Sequence, residues 1–141
     1  MKVLLDTCVL VDFLQKREPF AADARDVMLF AASNLMEGYT TAKAVTDIYY
    51  LVHRMTHSDA ETRKIVSGLL SIIGVLDTVC ADIQNALLSP VGDFEDAVMI
   101  ETARREHADC IVTRNGKDYA KANIPVYSPQ AFVQMMRDNM E

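Results

Sequence analysis

Val3-Leu4-Leu5-Asp6-Thr7-Cys8-Val9-Leu10-Val11 is the stretch that decides the fold. Val3 to Leu5 form an apolar run without polar alternation, as a strand buried on both faces requires. Asp6 follows at once, and a second apolar stretch starts at Val9. Open α/β sheets place their chemistry just outside the carboxyl ends of their strands. A carboxylate there costs desolvation energy unless something pairs with it. The reading of the remaining residues therefore turns on the partners of Asp6, and the chain supplies mainly further acids.

Outward from that stretch, short apolar runs alternate with helical periodicities. A first helix is predicted from about Val9 to Gln15. Pro19 can open the next at its first position. Phe20, Ala24, Val27, Met28, Ala31 and Leu35 recur at helical spacing, and Gly38 is read as the stop. Tyr39-Thr40 is a short strand. A third helix buries Val45, Ile48, Tyr49, Val52 and Met55. Ser58 and Glu61 form a capping box for a fourth, which buries Ile65, Val66, Leu69, Leu70 and Ile73 and stops at Gly74. Val75-Leu76 reads as a strand, Ala81 to Leu88 and Asp93 to His107 as helices. Cys110 to Val112 and Ile124 to Val126 read as the last strands, and Ser128-Pro129 caps a C-terminal helix on Phe132, Val133 and Met136. Apolar strands alternating with helices predict a parallel sheet covered on both faces.

The bulk composition narrows the function classes. The 141 residues fit one domain, 1–141, with half of them hydrophobic. Net charge is −6, from 20 acids and 14 bases. That argues against nucleic-acid binding by surface charge alone. It leaves open a nuclease whose phosphate attraction comes from a bound metal. No apolar run approaches the ~18 residues of a membrane span. The first residues show no signal-peptide pattern, so a cytoplasmic protein is expected. Cys8, Cys80 and Cys110 lie far apart and read as small buried hydrophobes in a reducing compartment.

Placed on this frame, the acids converge. In a parallel sheet the carboxyl ends of the strands share one edge. Asp6, Asn115 and Asp118 should meet there, and Asp93 and Asp96 lie three residues apart at the start of a helix, on roughly one face. Asp47, flanked by Val45, Ile48 and Tyr49, should be at least partly buried. Converging carboxylates either stay protonated or hold a divalent metal, and hard oxygen ligands suit Mg²⁺ or Mn²⁺. Each acid also has a plainer reading. Asp93 fits a helix cap. Asp96 fits a favourable helix-dipole position, and Asp118 a turn residue after Asn115-Gly116. Asp47 would pair with Arg54 or another cation. Glu95, Glu101 and Glu106 are expected to face solvent, as are His53, His57 and His107. Other chemistries fit worse. There is no Gly-rich phosphate loop in a chain with 5 glycines. An aspartyl-phosphate mechanism at Asp6 would want an acid at position 8, where Cys8 stands. A Cys8 nucleophile would want an Arg soon after it.

These residues resemble the PIN-domain family. Met1 to Thr7 with Val9-Leu10-Val11-Asp12-Phe13 is similar to the family's opening. Ala44-Val45-Thr46-Asp47-Ile48-Tyr49-Tyr50-Leu51-Val52 is similar to its second acidic segment. Asp93-Phe94-Glu95-Asp96-Ala97 and Ile111-Val112-Thr113-Arg114-Asn115-Gly116-Lys117-Asp118-Tyr119 look like its distal half. The likeness spans essentially the whole chain in the right order. It implies a Rossmann-like three-layer α/β/α fold with a central, about five-stranded parallel sheet. It also implies an Mg²⁺- or Mn²⁺-dependent endoribonuclease. Many small members are VapC-type toxins held by a cognate antitoxin, and the family commonly forms homodimers. By the resemblance, Asp6, Asp47, Asp96 and Asp118 are the catalytic, metal-holding acids. Thr113 and Asn115 would position water or phosphate, and Arg114, Lys117 and Lys121 would guide an RNA backbone. Three positions depart from the pattern. Cys8 stands where Asn is usual, Asp47 where Glu is usual, and Asn115 where the fourth acid usually follows the Thr-Arg pair. Those departures favour the alternative function, a weakly catalytic or inactive PIN-like module that binds RNA or protein.

Overall fold

The computed structural model describes residues 1–141, with the side chain of Asp118 outside the description. Strands β1 (Lys2–Leu5), β2 (Glu37–Thr41), β3 (Gly74–Leu76), β4 (Cys110–Val112) and β5 (Val126–Tyr127) form one sheet in the order β3-β2-β1-β4-β5. Every neighbouring pair runs parallel. The helices are α1 (Thr7–Gln15), α2 (Ala21–Ala32), α3 (Ala42–Thr56), α4 (Asp59–Leu69), α5 (Cys80–Leu87), α6 (Phe94–Arg105) and α7 (Pro129–Asn139), with a short 3₁₀ helix at Gly116–Tyr119.

Alternate residues of the central strands serve two cores. Val3, Leu5, Cys110 and Val112 pack with apolar residues of α1, α2, α3, α4 and α7. Leu4, Ile111 and Leu76 pack on the opposite face with Ala86 of α5 and with Ala97, Ile100 and Ala103 of α6. A strand apolar at every position is what this two-sided burial demands. The three-layer α/β/α arrangement predicted from the sequence is thus observed. No helix among the described residues is long and apolar enough to cross a membrane.

Several boundaries differ from the sequence reading. Pro19 does not open α2, which starts at Ala21 after a turn closed by the Phe20 N–H donating to the Arg17 carbonyl. The helix ends at Ala32, where Asn34 takes the left-handed conformation (φ 58°), so Leu35 lies beyond it and is exposed. Gly38 and Gly74, read as helix stops, are strand residues instead. A Cβ at Gly38 would stand 3.0 Å from Ile73 Cγ2, and one at Gly74 would stand 2.7 Å from the Tyr39 ring. Close packing, against Ile73 at Gly38 and against the paired Tyr39 of the neighbouring strand at Gly74, and not a turn, accounts for both glycines. The last strand is Val126–Tyr127 rather than 124–126. Ser58 caps α4 by accepting from the Glu61 N–H. Its own N–H, however, donates to Thr56 Oγ1 rather than to Glu61. Ser128 caps α7 as expected.

The cysteines divide: Cys110 is buried, Cys8 half-buried and Cys80 exposed. Helix α5 buries Asp82 and Ala86 on one side, which turns Cys80 outward. Glu101 and Glu106 are also less exposed than expected, because Glu101 pairs with Arg104 and Glu106 with Arg105 and Lys2.

One polar junction ties α5 to α6. Asp82, which is 1% exposed, accepts from Arg105 Nε at 2.9 Å, from Thr102 Oγ1 at 2.9 Å and from the Val79 N–H at 3.0 Å. Burial alone would raise its pKa, but these hydrogen bonds outweigh it and hold the carboxyl below the usual value of 3.8. A folded-state pKa below the unfolded one gives stability that is present above pH 3.8 and lost as pH falls through the depressed value. Asp82→Ala should therefore lower unfolding free energy by about 2–4 kcal/mol at pH 7. In urea titrations repeated at falling pH, the gap to the wild type should shrink below pH 4. A gap that instead grows with acidification would contradict this account.

Candidate metal and phosphate site

The parallel register brings the carboxyl ends of β1 and β4 side by side. Leu5 is level with Val112, and the Asp6 N–H donates to the Val112 carbonyl at 3.0 Å. Asp6 is the N-cap of α1 and Thr113 directly follows β4. Asp6 Oδ1 accepts from the Thr7 N–H at 2.8 Å. Its Oδ2 accepts from Thr113 Oγ1 at 2.6 Å and from Cys8 Sγ at 3.6 Å. The carboxylate is 7% exposed. The helix N-terminus, whose partial positive charge favours an anion, stands behind it.

A cavity of about 450 Å³ opens over this point. Asp6, Asp47, Asp93, Glu95, Asp96 and Asn115 line it, and so do Thr7, Cys8, Lys43, Arg17 and Tyr50. Asp6, Asp47 and Asp96, expected to converge from three separate segments, thus face one space. Asp93 is the N-cap of α6, its Oδ1 accepting from the Asp96 N–H at 3.0 Å. That matches the plainer reading and turns the first helical turn, with Glu95 and Asp96, toward the cavity. Asp96 Oδ1 accepts from Tyr119 Oη at 3.2 Å. Burial raises the pKa of Tyr119, and the charges of Asp6 and Asp96 add to the effect. Tyr119 therefore stays a neutral donor. The side chain of Asp118, the expected fourth acid, lies outside the described residues.

Asp47 is half-buried, and its partner is Lys43 rather than Arg54. Lys43 Nζ stands 2.5 Å from Asp47 Oδ2 and 3.2 Å from Glu95 Oε1. Desolvation works against the ammonium charge, but the two carboxylates outweigh it and raise the Lys43 pKa. Cys8 is held as a thiol: burial, and then the charge of Asp6, push it up to about 11. Sequence reasoning assigned no role to Lys43 or Tyr119, and it missed the residue that holds Arg114. Arg114 Nε donates to Asp12 Oδ2 at 2.6 Å and NH2 to Oδ1 at 3.2 Å, while the guanidinium lies 4.0 Å from the Phe20 ring centroid. Asp12 is fully buried within α1. The polar position in an otherwise apolar helix, Val9-Leu10-Val11-Asp12, was the available signal for a buried ion pair. Arg114 lines a second cavity with Phe20, Asp23 and Ser128 instead of the acidic one. Asn115 lines the acidic cavity, its N–H donating to Thr113 Oγ1 at 3.0 Å.

Among the described residues, no group of three His, Cys, Asp or Glu side chains is placed to hold an ion by itself. Mg²⁺ commonly takes one or two carboxylates and fills its shell with water and substrate phosphate. Asp6 and Asp96 offer hard oxygens of that kind to one solvent-open space, so the donor chemistry fits such an ion.

A family model described as PIN domain matches residues 2–117. Among solved structures, the chain is similar to VapBC2 from Rickettsia felis, bound to a DNA fragment from its promoter. The TM-score is 0.67 at 17% identity, over 91% of this chain and 98% of that one. A toxin-antitoxin complex from Klebsiella pneumoniae matches at TM-score 0.66 and 20% identity, over 90% and 97%. VapC20 of Mycobacterium tuberculosis, a toxin that cleaves the sarcin-ricin loop, matches at 0.65 and 15%, over 84% and 93%. At these identities the likeness is one of fold. No curated protein matches the chain.

Two outcomes test the geometry. A maleimide at pH 7.5 should label exposed Cys80 and spare Cys8, whose thiolate is scarce below about pH 11; peptide mapping that finds Cys8 labelled first would contradict the assignment. Arg114→Ala, which strands Asp12 in the core, should cost about 3–5 kcal/mol in chemical denaturation. A stability unchanged from the wild type would show that the pair contributes nothing.

Proposed function

The chain belongs to the PIN-domain family, and from that premise we propose that it is a metal-dependent endoribonuclease, the toxin of a toxin-antitoxin pair. The observation that carries the reading is the meeting of Asp6 and Asp96 at one open cavity on the carboxyl edge of the sheet. Their elements are far apart in sequence, and no folding requirement brings two acids together there. Like charges gathered at a solvent-open site are stable when a divalent ion screens them.

Asp6 and Asp96 would hold Mg²⁺ or Mn²⁺, with Asp118 as the proposed further acid. Bound there, such an ion supplies Lewis-acid stabilisation of charge on the phosphoryl oxygens and makes an attacking water more acidic. The chain does the rest. Thr113 fixes the Asp6 carboxylate through a 2.6 Å hydrogen bond. Tyr119, neutral at working pH, donates to Asp96 and orients it. Asn115 offers an amide at the rim for a phosphate oxygen or a water. Arg17 brings a positive charge to the same lining, which would favour a phosphodiester in an otherwise acidic protein. The proposed partners are an RNA strand and a cognate antitoxin. The VapC likeness supports the second at the level of fold.

Purified protein should cleave RNA with Mg²⁺ or Mn²⁺ and lose that activity in EDTA. Asp6→Asn and Asp96→Asn should each reduce the rate by roughly 100-fold or more, with circular dichroism unchanged. Full cleavage by either variant in the presence of metal would sink the assignment.

A further inference from the structure

Lys43 breaks two local rules of helix electrostatics. It is the second residue of α3, in the first turn, where the helix dipole disfavours a cation. It also precedes Asp47 by four residues, and in such pairs the acid is better placed on the N-terminal side. Neither α3 nor a half-exposed surface pair explains the residue. What Lys43 does have is a place inside the acidic cavity, between acids of two helices. Its Nζ is 2.5 Å from Asp47 of α3 and 3.2 Å from Glu95 of α6. Its backbone N–H donates to Thr78 Oγ1 at 3.2 Å, which fixes the root of the side chain. Residues that violate local preferences while meeting a site's electrostatics are where function is to be sought.

We propose that the Lys43 ammonium is the built-in second cation of this site: it engages Asp47 and Glu95, so that the cavity takes one divalent ion, on the side of Asp6 and Asp96. This rests on the metal-nuclease reading and deepens it. In two-metal nuclease sites a pair of ions shares the neutralisation of the acids and of the departing oxygen. Here one share is carried by a covalently attached charge. Lys43 is thus a positioning residue that sets how many ions the acids accept. Asp47, shorter than the Glu usual in the family, is matched to it, because its carboxylate meets an ammonium one helical turn away.

The test is metal stoichiometry, not cleavage. The full chain, stripped with EDTA and dialysed, is titrated with Mn²⁺ at pH 7. Free Mn²⁺ is followed by electron paramagnetic resonance, and heats by calorimetry. The wild type should bind one Mn²⁺ per chain. Lys43→Met should bind a second, Lys43→Arg should remain at one, and Lys43→Met combined with Asp47→Asn should return to one. Lys43→Gln serves as the second charge-removing variant should Lys43→Met fail to show the wild-type circular dichroism. A charge-removing variant that stays at one ion, or a wild type that already takes two, overturns the proposal while leaving the metal-nuclease reading intact. A wild type that binds no Mn²⁺ at millimolar concentration overturns that reading and the proposal with it.

Discussion

The hydrogen bond from Thr113 Oγ1 to Asp6 Oδ2 holds the two halves of the site together. It joins the residues that leave β1 and β4, and these strands meet at a topological switch point. From β1 the chain builds outward through β2 to β3, then crosses back to place β4 and β5 on the other side. At such a point the segments leaving neighbouring strands diverge and a crevice opens at their carboxyl ends. Here α1 leaves toward the face shared with α2, α3, α4 and α7, while α6 lies on the opposite face. The cavity is the gap between them, and the Asp6–Thr113 bond fixes its floor. A buried carboxylate so held loses freedom to rotate, which is what a ligand or a positioned base requires.

The acids around that floor are not equivalent, and the structure distinguishes them by their partners. Asp93 is occupied as a helix cap. Asp47 and Glu95 are engaged by one ammonium group. Asp6 takes hydrogen bonds from a backbone N–H, a hydroxyl and a thiol, all of them neutral donors. Neutral donors orient a carboxylate without cancelling its charge. Negative charge is therefore concentrated at Asp6, where Cys8 also feels it: the thiol is pushed up to about 11 by burial and by that charge. A Cys8 so poised donates to Asp6, as the amide of an Asn at that position also could. The departure from the family pattern at position 8 weakens that donor but does not remove it.

The fold was legible because its signal is local. Strands buried on both faces are apolar throughout, and capped amphipathic helices announce their starts at Ser58, Asp93 and Ser128. Helix ends were less legible where glycine was taken as punctuation. Gly38 and Gly74 are dictated by a methyl group of Ile73 and by the ring of Tyr39, and neither neighbour is visible in the local sequence. The site was legible in part for a related reason. Topology alone placed Asp6 and Asn115 at one sheet edge, whereas Asp96, in the first turn of α6, was joined to Asp6 through the family resemblance. Polar pairs across layers have no periodicity. Lys43 with Glu95, Tyr119 with Asp96 and Arg114 with Asp12 join residues 52, 23 and 102 positions apart.

The tripeptide after β4 shows how closely site and scaffold are joined. Thr113 turns inward to hold Asp6, Arg114 turns back to the buried Asp12 of α1, and Asn115 faces the cavity. A guanidinium beside an acidic cavity invites the reading that it binds phosphate. Its bidentate geometry on a fully buried carboxylate argues otherwise. Removing Asp12 from water is tolerable only while Arg114 stays in place. The same pair also sets where α1 lies against the loop after β4. Asp6 caps α1 and Thr113 begins that loop, so the ion pair and the Asp6–Thr113 bond brace one another. Six residues separate Asp6 from Asp12, somewhat under two turns of helix. A shift of α1 that loosened one contact would strain the other. The charge of Arg114 serves the site by fixing its geometry, whereas Arg17 and Lys43 are the cations that line the cavity itself.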